Sequence, residues 1–97
     1  MFSLVVNEIA ATELAHSKSF YNKRQDKLGD EFEVVVLTSL ELILNNPFTY
    51  PTIKNQIRKV VLPRFPFVVL YEVENDVIVI LHIFHISRNP RYLKEKQ

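Results

Sequence analysis

The chain has 97 residues, of which 47% are hydrophobic and 24% charged, and its formal net charge is +1. Compact domains commonly contain roughly 100 to 150 residues, so a single domain over residues 1–97 is expected. The absence of cysteine excludes disulfides and thiolate metal sites and favours the cytoplasm. The first ten residues lack the features of a secretion signal, and the longest apolar run, DVIVILHIFHI, is shorter than the roughly 20 residues of a membrane-spanning helix. No membrane partner is therefore expected.

The N-terminal half is predicted to contain one short strand and two helices. The segment FSLVV is apolar and β-prone, and Asn7 can then cap a helix by accepting a backbone N–H with its side chain. Apolar residues recur at helical spacing from Glu8 to about Lys27. Gly29 indicates a break, after which a second apolar stripe runs to the NNP stop that ends at Pro47. The two helices are expected to form a hairpin.

The C-terminal half is predicted to form three antiparallel strands. The segments QIRKVVL, PFVVLYEV and VIVILHIF are rich in β-branched and aromatic residues and are separated by PRF and END. The preceding segment, PFTYPTIKN, contains two prolines and is expected to be an ordered loop. The order β-α-α-β-β-β predicts an α+β domain in which an N-terminal helical hairpin covers one face of an antiparallel sheet.

Two histidines near the end of the last predicted strand are candidates for chemistry. Regular alternation would group His85 with Val77, Val79 and Ile83, and would place His82 on the opposite face. Side chains on opposite faces cannot easily share one ion, so no metal site is expected. At the strand's end, a neutral His85 imidazole could exchange protons near pH 7. The alternative is a half-buried histidine that is satisfied by hydrogen bonds and has no chemical role.

Basic residues are concentrated in the C-terminal half. They include Lys54, Arg58, Lys59, Arg64, Arg88 and Arg91. The forked guanidinium of arginine matches phosphate oxygens, so this group could contact a phosphate. The alternative is that these charges keep the sheet soluble and protect its edges. Because the chain has one glycine, a glycine-rich phosphate loop is excluded and no cofactor is expected.

A set of short motifs runs through the C-terminal half. Arg58 lies on one predicted strand, Phe65-Pro66-Phe67 begins the next, and Tyr71 follows four residues later. The last strand ends in His85 and is followed by Arg88-Asn89-Pro90. Together these motifs resemble the RelE/ParE superfamily of bacterial toxins, and the two helices, NPFTYP and the chain length agree more loosely. The resemblance implies the RelE/ParE-like fold and a toxin of a type II toxin–antitoxin system, with an antitoxin that folds an extended segment onto it.

The resemblance leaves two targets open. ParE-type members act on DNA gyrase and need no nuclease site, whereas RelE-type members cut mRNA on the ribosome without metal. For the second branch the resemblance implies His85 in proton transfer, with Arg58 and Arg88 stabilising the phosphate. Tyr92 would orient or stack a base in that mechanism.

Two departures favour the gyrase branch. Ribosome-dependent members commonly carry an arginine where this chain has Val68, and a net charge of +1 is low for docking on ribosomal RNA. The tail matches neither branch cleanly, because Leu93 stands where family members often have tryptophan. A third alternative is a non-toxic binding module or a toxin relic. The antitoxin's identity and the oligomeric state stay open, and a Leu14→Asp substitution would reveal whether the first helix contributes to antitoxin binding.

Overall fold

The computed structural model describes residues 1–88. Within them the elements are β1 (Ser3–Val6), α1 (Glu8–Arg24), α2 (Leu28–Asn45), β2 (Thr52–Lys54), β3 (Ile57–Val61), β4 (Phe67–Glu74) and β5 (Val77–His85). These strands form one sheet in the order β1-β5-β4-β3-β2. The predicted α+β fold with an N-terminal helical hairpin is confirmed. None of the helices in this part of the chain is long and apolar enough to cross a membrane.

The sheet differs from the prediction in two respects. It is mixed, because β1 pairs in parallel with β5, from Ser3 opposite Val77 to Val6 opposite Ile80. In addition, β2 forms within the segment that was predicted to be a loop, and it pairs irregularly with β3. A three-residue strand is too short to produce a recognisable alternation, and the direction of β1 depends on a partner near the other end of the chain.

The helical hairpin is built around a close approach at Gly29. The Asn7 side chain caps α1 as predicted, since its Oδ1 accepts from the Ala10 N–H at 2.8 Å. The chain turns at Lys27, which has φ of 67°, so Gly29 lies inside the first turn of α2 and not at the predicted break. A Cβ on Gly29 would lie 2.0 Å from the backbone oxygen of Lys18. The glycine therefore allows the two helices to touch.

The main core lies between the helical hairpin and one face of the sheet. α2 contributes the fully buried Phe32, Val36 and Ile43, whereas Ala10 is the buried residue of α1. The opposite sheet face carries a smaller cluster made by the buried Val68, Leu70 and Phe84 with the partly buried Ile53 and Ile57. Because α1 buries so little, most of its side chains are available at the surface.

A β-bulge in β5 changes which residues face the core. Tyr71 pairs with Ile80 and Leu70 pairs with His82, so Leu81 has no residue directly opposite it. A bulge inserts one residue and shifts the alternation that follows. Strict alternation, on which the predicted faces of the two histidines depended, therefore fails beyond Leu81.

The bulge places His85 beneath the helices. His85 pairs directly with Phe67, a residue of the main core, and their ring centroids are 5.4 Å apart. Ile83 is also in that core, together with Ile78 from before the bulge. The prediction that His85 shares a face with Val77 and Val79 is therefore wrong, because it assumed an unbroken strand.

Candidate functional site

A groove of about 450 Å³ lies between α1 and the C-terminal end of β5. We call it the α1–β5 groove. Its apolar wall includes Phe20, Tyr21, Phe67 and Ile83. Its polar lining comes from α1, from the last residue of β5 and from the turn after it, and it consists of Glu13, His16, Ser17, His85, Ser87 and Arg88. The groove thus brings two of the predicted site residues, His85 and Arg88, to one place.

His85 is held by the turn that follows it. Its Nδ1 accepts a hydrogen bond from the Ser87 backbone N–H at 3.1 Å and lies 2.8 Å from the Ser87 hydroxyl oxygen. A backbone N–H can only donate, so Nδ1 is an acceptor and the proton of the neutral ring is on Nε2. This arrangement matches the hydrogen-bonded histidine considered as an alternative, and it leaves Nε2 to meet a ligand.

The Phe65-Pro66-Phe67 motif fixes the same turn. The Pro66 carbonyl accepts from the Ile86 N–H at 2.8 Å, and the Arg88 N–H donates to the His85 carbonyl at 2.9 Å. Phe67 itself packs against Phe32, with ring centroids 4.7 Å apart. The motif therefore links the aromatic core to the residues that line the groove.

Arg58 lies in another part of the molecule. Its guanidinium donates to the carbonyls of Tyr50 and, at 3.3 Å, of Phe48, and it sits 5.2 Å from the centroid of the Phe48 ring. Arg58 pairs with Tyr71 on β4, whereas His85 pairs with Phe67. Those two partners are four positions apart on β4, which is about 13 Å at ~3.3 Å per residue. The structure does not bring Arg58 together with His85 and Arg88. Tyr92 lies outside the described residues.

Tyr71 binds the same loop as Arg58, the segment between α2 and β2. Its buried hydroxyl donates to the Pro47 carbonyl at 2.6 Å, and burial raises its pKa to about 12 although the nearby Arg58 lowers it. We call this pair, with the α2–β2 loop carbonyls that they bind, the Arg58–Tyr71 clamp. Arg58 and Tyr71, two residues of the motifs that resemble RelE/ParE toxins, thus hold the α2–β2 loop in place.

Val68 is also separated from the groove. It is 2% exposed and belongs to the small cluster on the other sheet face. Its neighbour Phe67 faces the helices, so Val68 points to the opposite side of the sheet. RelE-type, ribosome-dependent toxins commonly carry an arginine at the position of Val68. In this chain that position therefore faces away from His85.

Glu13 was not identified from the sequence. Its Oε1 accepts from the Ile83 N–H at 2.7 Å, and its Oε2 lies 3.3 Å from His82 Nδ1. Because β1 pairs with residues 77–80, Glu13 supplies at Ile83 the acceptor that a longer neighbouring strand would provide. An acidic residue on a helix surface gives no sequence signal of such a contact, and neither His16 nor Ser17 stands in a motif.

The comparison with family models decides the classification. A model described as the ParE toxin of the type II toxin-antitoxin system, parDE, matches residues 4–90. The chain belongs to the ParE toxin family. The predicted resemblance to RelE/ParE toxins is confirmed, and membership identifies this ParE-family protein as a toxin component with an antitoxin as its partner.

A solved structure agrees with the fold of this ParE-family toxin. The structure, from the chromosomal ParDE TA system of P. aeruginosa, has a TM-score of 0.77 and 21% sequence identity to the chain. The match covers 88% of this chain and 96% of the other. A search among curated proteins finds no match.

Proposed function

We propose that this ParE-family toxin arrests bacterial growth by inhibiting DNA gyrase in the cytoplasm, and that its antitoxin prevents the arrest. The observation that carries the proposal is the match of residues 4–90 to the ParE family model. As a gyrase inhibitor the chain would need a surface that contacts the enzyme and no catalytic centre of its own. No cofactor or metal has a part in this proposal.

The geometry around His85 supports the gyrase target over RNA cleavage. Stabilising the charge on a reacting phosphate requires donors roughly 3 Å from its oxygens. Arg58 lies on β3 opposite Tyr71, away from the partner of His85, and is bonded to loop carbonyls. Val68 offers no charge. Of the implied nuclease residues that the structure describes, His85 and Arg88 alone line the groove. Ribosome-dependent mRNA cleavage by His85, Arg88, Arg58 and Tyr92 is therefore the alternative with less support.

Two assays on the purified protein separate these functions. We expect the wild type to block supercoiling of relaxed plasmid by gyrase, and to leave mRNA uncut on purified ribosomes. Cleavage of mRNA in the ribosomal A site by the wild type would overturn the proposal. The His85→Ala variant should then lose about 10²- to 10⁴-fold in cleavage rate, which is the usual effect of removing a general acid or base.

Induced expression without an antitoxin tests the growth effect itself. Growth should stop, DNA replication should fail before translation does, and a co-expressed antitoxin should restore both. Normal growth at an expression level confirmed by blotting would instead favour a non-toxic binding module or a relic. Arrest of translation before replication would favour the ribosome as the target.

A further inference from the structure

The side of α2 that faces away from the core combines apolar and acidic side chains. Exposed residues at intervals of four, three and four share this side of the helix, and they are Val34, Thr38, Glu41 and Asn45. Leu37 and Leu42 flank them, and we call these six residues the outer α2 face. Its three large apolar side chains are strongly exposed: Val34 (62%), Leu37 (51%) and Leu42 (52%). Single exposed apolar residues are common, but several on one helix face indicate an interaction surface.

The charged side chains of α2 are all negative. The helix contains no basic residue, and its acidic residues are Asp30, Glu31, Glu33 and Glu41. The first three are already paired, because Lys18 Nζ lies 2.8 Å from Glu33 and 3.9 Å from Asp30, and Arg64 lies 2.8 Å from Glu31. Within residues 1–88, Glu41 has no ion-pair partner. Its exposed carboxylate can therefore meet a cation from outside the chain.

The position of Glu41 is electrostatically unfavourable in the isolated chain. The carbonyls at the end of a helix carry a partial negative charge, which basic residues in the last turn offset. The last turn of α2 contains no basic residue, and Glu41 directly precedes that turn. A lysine or arginine of a partner would offset both the carboxylate and the end of the helix.

Two classes of partner fit the outer α2 face poorly. Nucleic acid is disfavoured because its phosphates would meet the Glu41 carboxylate and the negative end of the helix. A second copy of the chain, related by a two-fold axis, would place the same acidic surface against itself. The face instead suits a protein segment that presents apolar side chains beside lysine or arginine.

We propose that the outer α2 face binds a segment of DNA gyrase in which apolar side chains are flanked by lysine or arginine. The apolar side chains pack against Val34, Leu37 and Leu42, and a basic side chain pairs with Glu41. The gyrase target proposed above is a premise of this contact, which adds where the toxin meets the enzyme and through which chemistry. The contact is with gyrase protein and not with the DNA that gyrase holds, because the face repels phosphates.

Charge reversal at Glu41 tests the basic contact. The measurements are the affinity of the full-length toxin for purified gyrase, with and without DNA, and the inhibition of supercoiling. Glu41→Lys should weaken binding at least about tenfold in both conditions, because like charges would then oppose each other. Glu41→Gln should weaken binding less and reduce its dependence on salt. The matched control is Glu74→Lys, which reverses an exposed carboxylate at the end of β4, changes the net charge equally and should leave affinity within about twofold.

The apolar part of the face is tested with a double variant. Leu37→Ala and Leu42→Ala, made together, should weaken gyrase binding about tenfold, because two apolar contacts are lost while helix propensity is kept. The matched control combines Val5→Ala with Ile9→Ala, which truncates two similarly exposed apolar side chains elsewhere and should leave affinity within about twofold.

Urea unfolding separates a lost contact from a lost fold. Glu41→Lys should unfold at the same urea concentration as the wild type or a higher one, because a basic residue near the C-terminal end of a helix is favourable. Clear destabilisation of this variant would mean that Glu41 stabilises the chain itself, and would overturn the view that its carboxylate serves a partner.

Several other results would overturn the contact. Wild-type affinity in Glu41→Lys, or equal losses in the variants and their matched controls, would show that the outer α2 face does not bind gyrase. Tighter binding of Glu41→Lys to gyrase with DNA would place the face against DNA. A Glu41→Lys toxin that inhibits gyrase normally but escapes rescue by the antitoxin encoded beside the toxin gene would assign the face to the antitoxin. A wild type that neither binds nor inhibits gyrase would contradict the proposed function and the contact together, so the two failures are distinguishable.

Discussion

Replacing Arg58 with methionine tests whether this residue holds the fold or acts on a target. The substitution keeps an apolar stem and removes the guanidinium, which binds the carbonyls of Tyr50 and Phe48. A hydrogen bond to a charged group contributes about 1.5 to 3 kcal/mol, and a cation–π contact at an exposed ring adds about 0.5 kcal/mol. The Phe48 bond is long, at 3.3 Å, and counts for less. The variant should therefore lose about 2 to 3 kcal/mol of unfolding free energy.

Urea unfolding followed by circular dichroism measures this loss. Arg64→Met is the matched control, because Arg64 also lies over an aromatic ring, at 5.3 Å from the Phe65 centroid, and bonds one acceptor, Glu31. Its side chain is 58% exposed, and exposed ion pairs contribute about 0 to 1 kcal/mol. The control should thus lose less than about 1 kcal/mol.

The opposite pattern would refute the clamp. Suppose that the unfolding free energy of Arg58→Met lies within about 0.5 kcal/mol of the wild-type value, the usual range for surface substitutions. Suppose also that the variant loses gyrase inhibition or mRNA cleavage. Arg58 would then act at the target, and its bonds to the loop carbonyls would have no energetic importance. A large loss of stability in the control as well would show that both arginines act through general charge effects.

Two further predictions concern stability. Gly29→Ala should destabilise the protein by about 1 to 3 kcal/mol in the same urea assay, because the added Cβ would lie 2.0 Å from the Lys18 backbone oxygen. Helix propensity alone predicts a gain in stability of up to ~1 kcal/mol. A variant more stable than the wild type would therefore contradict the close packing of the two helices. Because burial raises the pKa of Tyr71 from 10.0 to about 12, its stabilising contribution should be complete below pH 10 and should be lost, by up to about 2 kcal/mol, as the pH rises to 12. Tyr71→Phe should remove that part of the pH dependence, and identical profiles for variant and wild type would show that Tyr71 does not titrate differently on folding.

The secondary structure could be predicted because its signals are local. The β-branched runs of the three C-terminal strands, the apolar stripes of both helices and the Asn7 cap each depend on residues close together in the chain. The bulge at Leu81 had no such signal, since one extra residue in an apolar run leaves the run apolar. Its consequence was large, because it moved His85 to the other face of the sheet.

The site was predictable only in part, for the same reason. His85 and Arg88 are close in sequence and lie at the end of one strand, so their proximity could be inferred. The α1 residues of the groove are distant in sequence, and Glu13 meets Ile83 only because β1 is shorter than β5. The type of a residue and its spacing in the sequence do not reveal which backbone atoms its side chain will contact.

The roles of the recognised residues explain why the motifs identify the family more readily than the target. Arg58 and Tyr71 bind carbonyls of the α2–β2 loop, and Pro66 ties down the turn after β5. Interactions of this kind stabilise the same fold whatever surface the fold presents, so a match to them carries information about architecture. Discrimination between partners depends instead on side chains that the fold leaves exposed. In this chain Phe20 and His16 on α1 are such side chains, and they lie outside the recognised motifs. Exchanging the exposed face of α1 between two ParE-family toxins should therefore alter partner recognition more than exchanging the motif residues, which should alter stability.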